Sequence, residues 1–501
     1  MIQSECSVID ILHKRRAGIL LHITSLPGND GNGDLGIEAY NFVDFLHSIG
    51  ASVWQTLPLN WPHGDGSPYQ CLSAHAGNPA LINLDDLVKK GWLTSSERCT
   101  ECGGTAAFSK NCLMTKAYYG FLLHAEAREK ERFAKFCTDK QNWLDDFALF
   151  MALRDEFGKQ CWNQWPEAYK KRKAQVLDEA KRRLSLEMAA IKFEQFVFFT
   201  QWHALRNYAS QKGVRLFGDI PIFVSYDSAD VWVTPEVFKL DENLEMSVVA
   251  GVPPDYFSAT GQRWGNPHYD WVYLEKTGFQ WWLDRMKTQV EMFDIVRIDH
   301  FRGLEAAWEI PATEPTAMNG EWVKAPGKAL LTALCNAFGP IALVAEDLGI
   351  ITDEVEALRD EFDLPGMKIL QFAFGGDHDN PYLPGNIDKN SVVYTGTHDN
   401  DTTLGWYQTI GDGEKAYIYE YLGQPTTAMP FTLVQAALAS VANLAVIPMQ
   451  DVLELGSEHR MNTPGTTEGN WRWRFNWDQL TENQVHRLAH AIDLFGRCVS
   501  Q

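Results

Sequence analysis

The sequence predicts a (β/α)8 barrel, an α/β fold, on three observations. Short apolar runs rich in β-branched residues alternate with helix-period segments along most of the 501 residues. Eight such runs can be counted. Nearly every one ends in a polar or titratable residue, as expected where an active site gathers at the C-terminal mouth of a barrel.

The first strand is expected over residues 17–22, ending in His22 and the turn Ser25-Leu26-Pro27-Gly28. A helix over 37–48 follows, with Tyr40, Phe42, Val43, Phe45 and Leu46 on a broad apolar face. A second strand over 52–57 runs into a loop of turn formers, 58–79. From 92 to 186 the chain turns helical, charged and amphipathic, and predicts an inserted helical subdomain. Its basic run, 170–183, reads as a solvated helix face. A helix over 187–211, carrying Phe193, Phe196, Phe199 and Trp202, returns to the main body.

The remaining strands are expected at 214–218 before Asp219, 295–298 before Asp299, 341–345 before Glu346, 367–372, 392–395 before His398-Asp399, and 444–447 before Gln450-Asp451. Helices fall between them, for example over 278–290 and 327–338. The segment 246–275 is rich in Gly, Pro and aromatics and reads as an inserted active-site loop region. One catalytic barrel spans 1–501 on this reading.

Composition narrows the function. A net charge of −21 argues against a nucleic-acid partner. No stretch reaches the length of a membrane span. Nine cysteines in a large chain fit reduced thiols and a cytoplasmic location, and residues 1–10 show no secretory pattern. Cys99 and Cys102 form a lone Cys-x-x-Cys, a weak zinc signal without a second pair. The 18 Trp, 16 Tyr and 27 Phe suit both a large core and platforms for sugar rings.

The chemistry is expected at Asp299, Glu346 and Asp399, three carboxylates at equivalent strand ends. Such a cluster serves either divalent metal binding or glycosyl transfer through paired carboxylates. Arg297 favours the second. It lies two residues before Asp299, on the same face of the strand, where its charge would hold Asp299 ionised and repel a metal. His300 and His398 offer hydrogen bonds to hydroxyls, and Trp54, Tyr69, Tyr256, Phe257, Trp264 and Trp271 lie in or near the surrounding loops. The residues alone do not separate transfer from hydrolysis, nor exclude a non-catalytic glucan-binding barrel.

Three segments, Arg297-Ile298-Asp299-His300-Phe301-Arg302-Gly303, Ala345-Glu346-Asp347-Leu348-Gly349 and Thr395-Gly396-Thr397-His398-Asp399-Asn400-Asp401, resemble the catalytic segments of the amylomaltases, the 4-α-glucanotransferases of glycoside hydrolase family 77. The resemblance extends to Ser67-Pro68-Tyr69-Gln70, Trp264-Gly265-Asn266-Pro267, Arg460-Met461-Asn462-Thr463-Pro464-Gly465-Thr466 and Asn470-Trp471. It implies a barrel with helical insertions and no separate C-terminal β-domain, acting on α-1,4-glucans and maltooligosaccharides without cofactor or metal. By the same similarity Asp299 matches the nucleophile, Glu346 the general acid/base, and Asp399 the residue that holds substrate hydroxyls. Arg297, His398 and Asp219 match the supporting residues. Tyr69, Asp255, Tyr256, Phe257, Ser258 and Asn470 match substrate-binding segments. The sequence departs from the family at Gly64, where many relatives have Tyr, and at His75 and Ala307, where aromatics are common. Trp61 stands near enough to Gly64 to substitute as a glucan contact.

Overall fold

The computed structural model describes residues 11–28, 31–99, 106–254 and 258–498. Its strands, in chain order, are β1 Arg16–Leu20, β2 Val53–Gln55, β3 Arg215–Pro221, β4 Val248–Val252, β5 Gln262–Pro267, β6 Ile295–Asp299, β7 Ala306–Pro311, β8 Glu321–Lys324, β9 Leu343–Ala345, β10 Gly366–Ile369, β11 Ser391–Tyr394 and β12 Leu444–Pro448. Eight of them form one parallel sheet in the order β10-β11-β12-β1-β2-β3-β6-β9. That order is the chain order written around a ring. The Ala345 N–H donating to the Pro365 carbonyl at 2.9 Å links the two ends. The fold is a TIM barrel, and its strands coincide closely with the eight apolar runs.

The strands are short because both faces are covered, so each needs only a few consecutive apolar residues. All five residues of β1 and of β12 are buried. The register matters for function. Asp219 pairs with Arg297 across β3 and β6, and Ile298 pairs with Ala345 across β6 and β9. Asp299 and Glu346 thus leave neighbouring strands at the same height.

Between β2 and β3 the described residues form seven α-helices, from Leu84–Lys89 to Ala174–Arg183, and then the long helix Ser185–Gln211. Phe193, Phe196 and Phe199 of that helix pack against Phe121, Phe133 and Phe136 at ring centroid distances of 5.0–6.3 Å. Each such aromatic pair contributes about 0.5–1.5 kcal/mol beyond its area burial. The opposite side of the helix fixes the loop after β2. Gln195 exchanges two hydrogen bonds with the backbone of Gly77, and Gln201 does the same with Asn83. Phe198 lies so close that a Cβ on Gly77 would sit 2.0 Å from its ring.

Segment 246–275 corrects the expectation of a loop region. It holds β4 and β5, which join β7 and β8 in a four-stranded antiparallel sheet, order β5-β4-β7-β8, with a small core of Val249, Ile310 and Ala317. A register shift between Val249 and Gly251 breaks the alternation that would have marked these strands. After β12 the described residues add helices, among them Glu482–Leu494, and no further strand. No helix of the described residues is long and apolar enough to cross a membrane.

Candidate active site

The C-terminal ends of β3, β6 and β9 and the turn after β11 deliver Asp219, Arg297, Asp299, Glu346, His398 and Asp399 to one mouth. Arg297 is the hub. Its side chain is buried, with one Nη 2.7 and 2.9 Å from the two Asp219 oxygens and the other 2.8 Å from Asp299 Oδ1. Tyr69, held by the loop that Gln195 and Gln201 fix, donates its hydroxyl to Asp219 Oδ2 at 2.7 Å. Burial and then the Asp219 charge hold the Tyr69 phenol well above its ordinary range, so it remains a donor.

Glu346 is gripped by backbone. Its Oε2 accepts from the His300 N–H at 2.7 Å and its Oε1 from the Leu348 N–H at 3.1 Å. Burial pushes Glu346 up to about 8, against the opposing Arg297 charge and with the Asp299 charge adding. Burial also raises Asp299, to about 6, with Arg297 opposing the rise. Burial thus raises both carboxyls, and Glu346 further than Asp299, the order in which Asp299 gives up its proton first.

Asp399 is set differently. Asn462 Nδ2 donates to its Oδ1 at 2.6 Å, His398 Nε2 lies 3.3 Å from its Oδ2, and Arg460 donates to its main-chain carbonyl at 3.0 Å. The Asp399 side chain is about half exposed; the protein enclosing the rest would by itself raise it, but His398 and the Asn462 hydrogen bond outweigh this and hold the carboxyl well below its ordinary range. Beneath the turn, buried Asp451 accepts from the Thr395 hydroxyl and from both the hydroxyl and the N–H of Thr403, pinning the two ends of segment 395–403.

Aromatic surface frames the carboxylates. The Tyr69 and His398 rings stack at 5.2 Å and 14°, and Trp471 packs on both at 5.9 and 6.0 Å. Trp264 meets the His300 ring edge-on at 4.8 Å.

The structure describes some of the other expected residues. Asp255, Tyr256 and Phe257 lie outside the described residues. Ser258 donates to the Gly261 carbonyl in the β4–β5 turn. Asn470 staples its own loop, accepting from the Thr463 N–H and donating to the Thr466 carbonyl. Trp61 is half-buried against Phe147, Gly64 is exposed, and His75 and Ala307 are buried, with His75 stacked on Trp143. Asn462, Arg460, Trp471 and Asp451 were not expected as site residues. Only the first three had a sequence signal, because they fall in quoted family segments.

The mouth does not suit a metal ion, because the Arg297 guanidinium occupies the space between Asp219 and Asp299. Among the described residues, the one group of potential ligands with clustered donor atoms is Asp377, His378 and Asp379, fully exposed on a loop. Cys102 lies outside the described residues.

A parallel barrel whose mouth carries one carboxyl on a buried guanidinium and a second at the neighbouring strand end, beside aromatic stacking surface, defines an enzyme of the glycoside-processing class. The sequence profile of the 4-alpha-glucanotransferase family matches residues 21–481. The chain is 50% identical over 487 residues to a 4-alpha-glucanotransferase of Thermus thermophilus, covering 95% of this chain and 97% of the relative. It is 48% identical over 500 residues to one of Synechocystis sp., covering 97% and 99%. Its structure matches that of the amylomaltase from Streptococcus agalactiae in complex with acarbose, with a TM-score of 0.93 at 37% identity, covering 97% of this chain and all of the other. The chain belongs to the 4-alpha-glucanotransferase family.

Proposed function

We propose that the protein transfers α-1,4-glucan segments from a donor glucan to the 4-hydroxyl of an acceptor glucan or glucose, by a retaining double displacement at Asp299 and Glu346. The observation that carries this reading is the placement of those two carboxyls at neighbouring strand ends, Asp299 on the Arg297 guanidinium at 2.8 Å and Glu346 held by the His300 and Leu348 N–H groups. The family supports the substrate class, and the related amylomaltase was solved with acarbose bound.

In the first step an Asp299 oxygen forms a bond to the anomeric carbon as the glycosidic C–O bond breaks. The proton of Glu346 goes to the departing oxygen, and a glycosyl-enzyme ester remains. In the second step Glu346, now a carboxylate, takes the proton of the acceptor 4-hydroxyl. That oxygen attacks the anomeric carbon and Asp299 leaves as a carboxylate. Two inversions retain the α-configuration. Asp399 binds ring hydroxyls more tightly as the sugar flattens in the transition state. Arg297, with Asp219 behind it, keeps Asp299 ionised. Tyr69, His398 and Trp471 form the wall against which a sugar ring packs. By the family resemblance Asp255, Tyr256, Phe257 and Ser258 serve as further glucan contacts, and Asn470 shapes its own loop, 463–470.

The thiols of Cys71, Cys137, Cys161, Cys335 and Cys498 are not in disulfides, which supports a reducing, cytoplasmic setting. Incubation of the purified protein with maltotriose alone tests the function. A ladder of longer maltooligosaccharides plus glucose, at constant total reducing ends, is expected. Rising reducing ends with only shorter products would make the enzyme a hydrolase.

A further inference from the structure

The segment that follows the nucleophile contains an unusual backbone step. β6 ends at Asp299, and His300 adopts φ 53°, the left-handed region that residues with a Cβ seldom enter. Three main-chain groups on either side of this step address Glu346. The Ile298 carbonyl accepts from the Glu346 N–H, the His300 N–H donates to Glu346 Oε2, and the Phe301 N–H donates to the Glu346 carbonyl. The Arg302 guanidinium donates to the Ile350 carbonyl, four residues beyond Glu346.

Along an extended strand successive N–H groups point to opposite sides. The N–H groups of His300 and Phe301 both reach Glu346, and they do so because the chain turns left-handed between them. The His300 ring makes no competing claim. It is packed edge-on against Trp264, its Nε2 has no partner, and burial, with Arg302 and His268 nearby, lowers the imidazole to about 3. Beyond it the Arg302 guanidinium lies 3.8 Å over the Trp322 ring, which fixes the far side of the turn.

We infer that His300 is a positioning residue whose left-handed backbone, rather than its imidazole, aims the Glu346 carboxyl at the glycosidic oxygen. This rests on the proposed acid/base role of Glu346. The step makes the spacing of Asp299 and Glu346 a property of one dihedral between two barrel strands. It also assigns a reason for a His here, one of the few non-glycine residue types enriched in this region of backbone space.

The test compares His300→Gly with His300→Val. Both lack the imidazole, but glycine enters positive φ freely and valine does not. On maltotriose, His300→Gly is expected to retain kcat at least about tenfold above His300→Val. If the valine variant does not fold, His300→Ala replaces it, since any Cβ disfavours this conformation. The second readout is α-maltosyl fluoride as donor with azide as acceptor. Fluoride leaves with its bonding electrons and needs no proton. Azide forms a C–N bond as the Asp299 ester breaks and needs no base. The gap between the two variants should shrink to within about threefold under these conditions, as should the deficit of Glu346→Gln.

Equal losses in His300→Gly and His300→Val on maltotriose would overturn the proposal, and so would a gap that persists with fluoride and azide. If Glu346→Gln is not relieved by fluoride and azide, the acid/base reading of Glu346 fails first and this proposal falls with it. If Glu346→Gln is relieved but the two His300 variants behave alike, the His300 proposal fails alone.

Discussion

Arg297 and Asp219 face each other in register across β3 and β6, and the guanidinium that binds both Asp219 oxygens reaches Asp299 with its other arm. The residue behind the proposed nucleophile is thus held by a second carboxylate. Removing one partner of a buried ion pair leaves the other charge uncompensated, at a cost of about 3–5 kcal/mol. Asp219→Ala should lower stability by that order in urea denaturation. It should also lower kcat/KM by about 10²-fold, because a displaced Arg297 misplaces Asp299.

The unequal rise of the two carboxyls sets a pH profile. The proposed mechanism needs ionised Asp299, gained as pH rises through about 6, and protonated Glu346, lost as pH rises through about 8. The kcat/KM profile should be bell-shaped with a maximum near 7. Glu346→Gln should lose about 10²–10⁴-fold on maltotriose and should remove the alkaline limb.

The same residue links pH to stability. The folded-state value of Glu346 is raised above its unfolded value, so its contribution to stability is fully present below the unfolded pKa and is lost as pH rises through about 8. At pH 9 the native protein must hold a buried carboxylate that glutamine avoids. Glu346→Gln should therefore melt at a higher temperature than the parent protein at pH 9, with a smaller difference at pH 6. A stability gap independent of pH would contradict this.

Asn462 Nδ2 donates to Asp399 Oδ1 across 63 residues of chain. Asn462→Ala leaves Asp399 free to rotate in a partly exposed site. The expected effect is about a tenfold fall in kcat with little change in melting temperature, since a single hydrogen bond of this kind contributes about 1 kcal/mol. Titration of the glucan by calorimetry should show nearly unchanged binding.

The barrel and its three carboxylates were legible in the sequence because their signals are local. Each strand is a short apolar run, and each acid follows it within a few residues. The Arg297–Asp299 relationship was legible too, since residues two apart on a strand share a face. The antiparallel sheet of β4, β5, β7 and β8 was not. Its strands pair across as many as 63 residues, and glycines at 251 and 265 replace the alternation that would reveal them. Asp451 read only as the polar end of the last strand. That it pins Thr395 and Thr403 depends on barrel closure bringing β12 beside β11. Asn470 was expected at the substrate, but its side chain closes a turn whose geometry no residue pattern announced.

Metal independence follows from the Arg297 hub. With a guanidinium lodged between Asp219 and Asp299, a divalent ion would have to displace a fixed cation. Disproportionation of maltotriose should proceed at an unchanged rate in excess chelator. A fall restored by Mg²⁺ or Ca²⁺ would contradict the assignment of Arg297.

The double displacement itself is tested most directly by trapping. Glu346→Gln, incubated with α-maltosyl fluoride and no acceptor, should form the ester at Asp299 and turn it over slowly. Mass spectrometry of the intact protein should show the added maltosyl mass, and peptide mapping should place it on the peptide containing Asp299. No adduct in that variant, or an adduct on another residue, would contradict Asp299 as the nucleophile and with it the retaining mechanism.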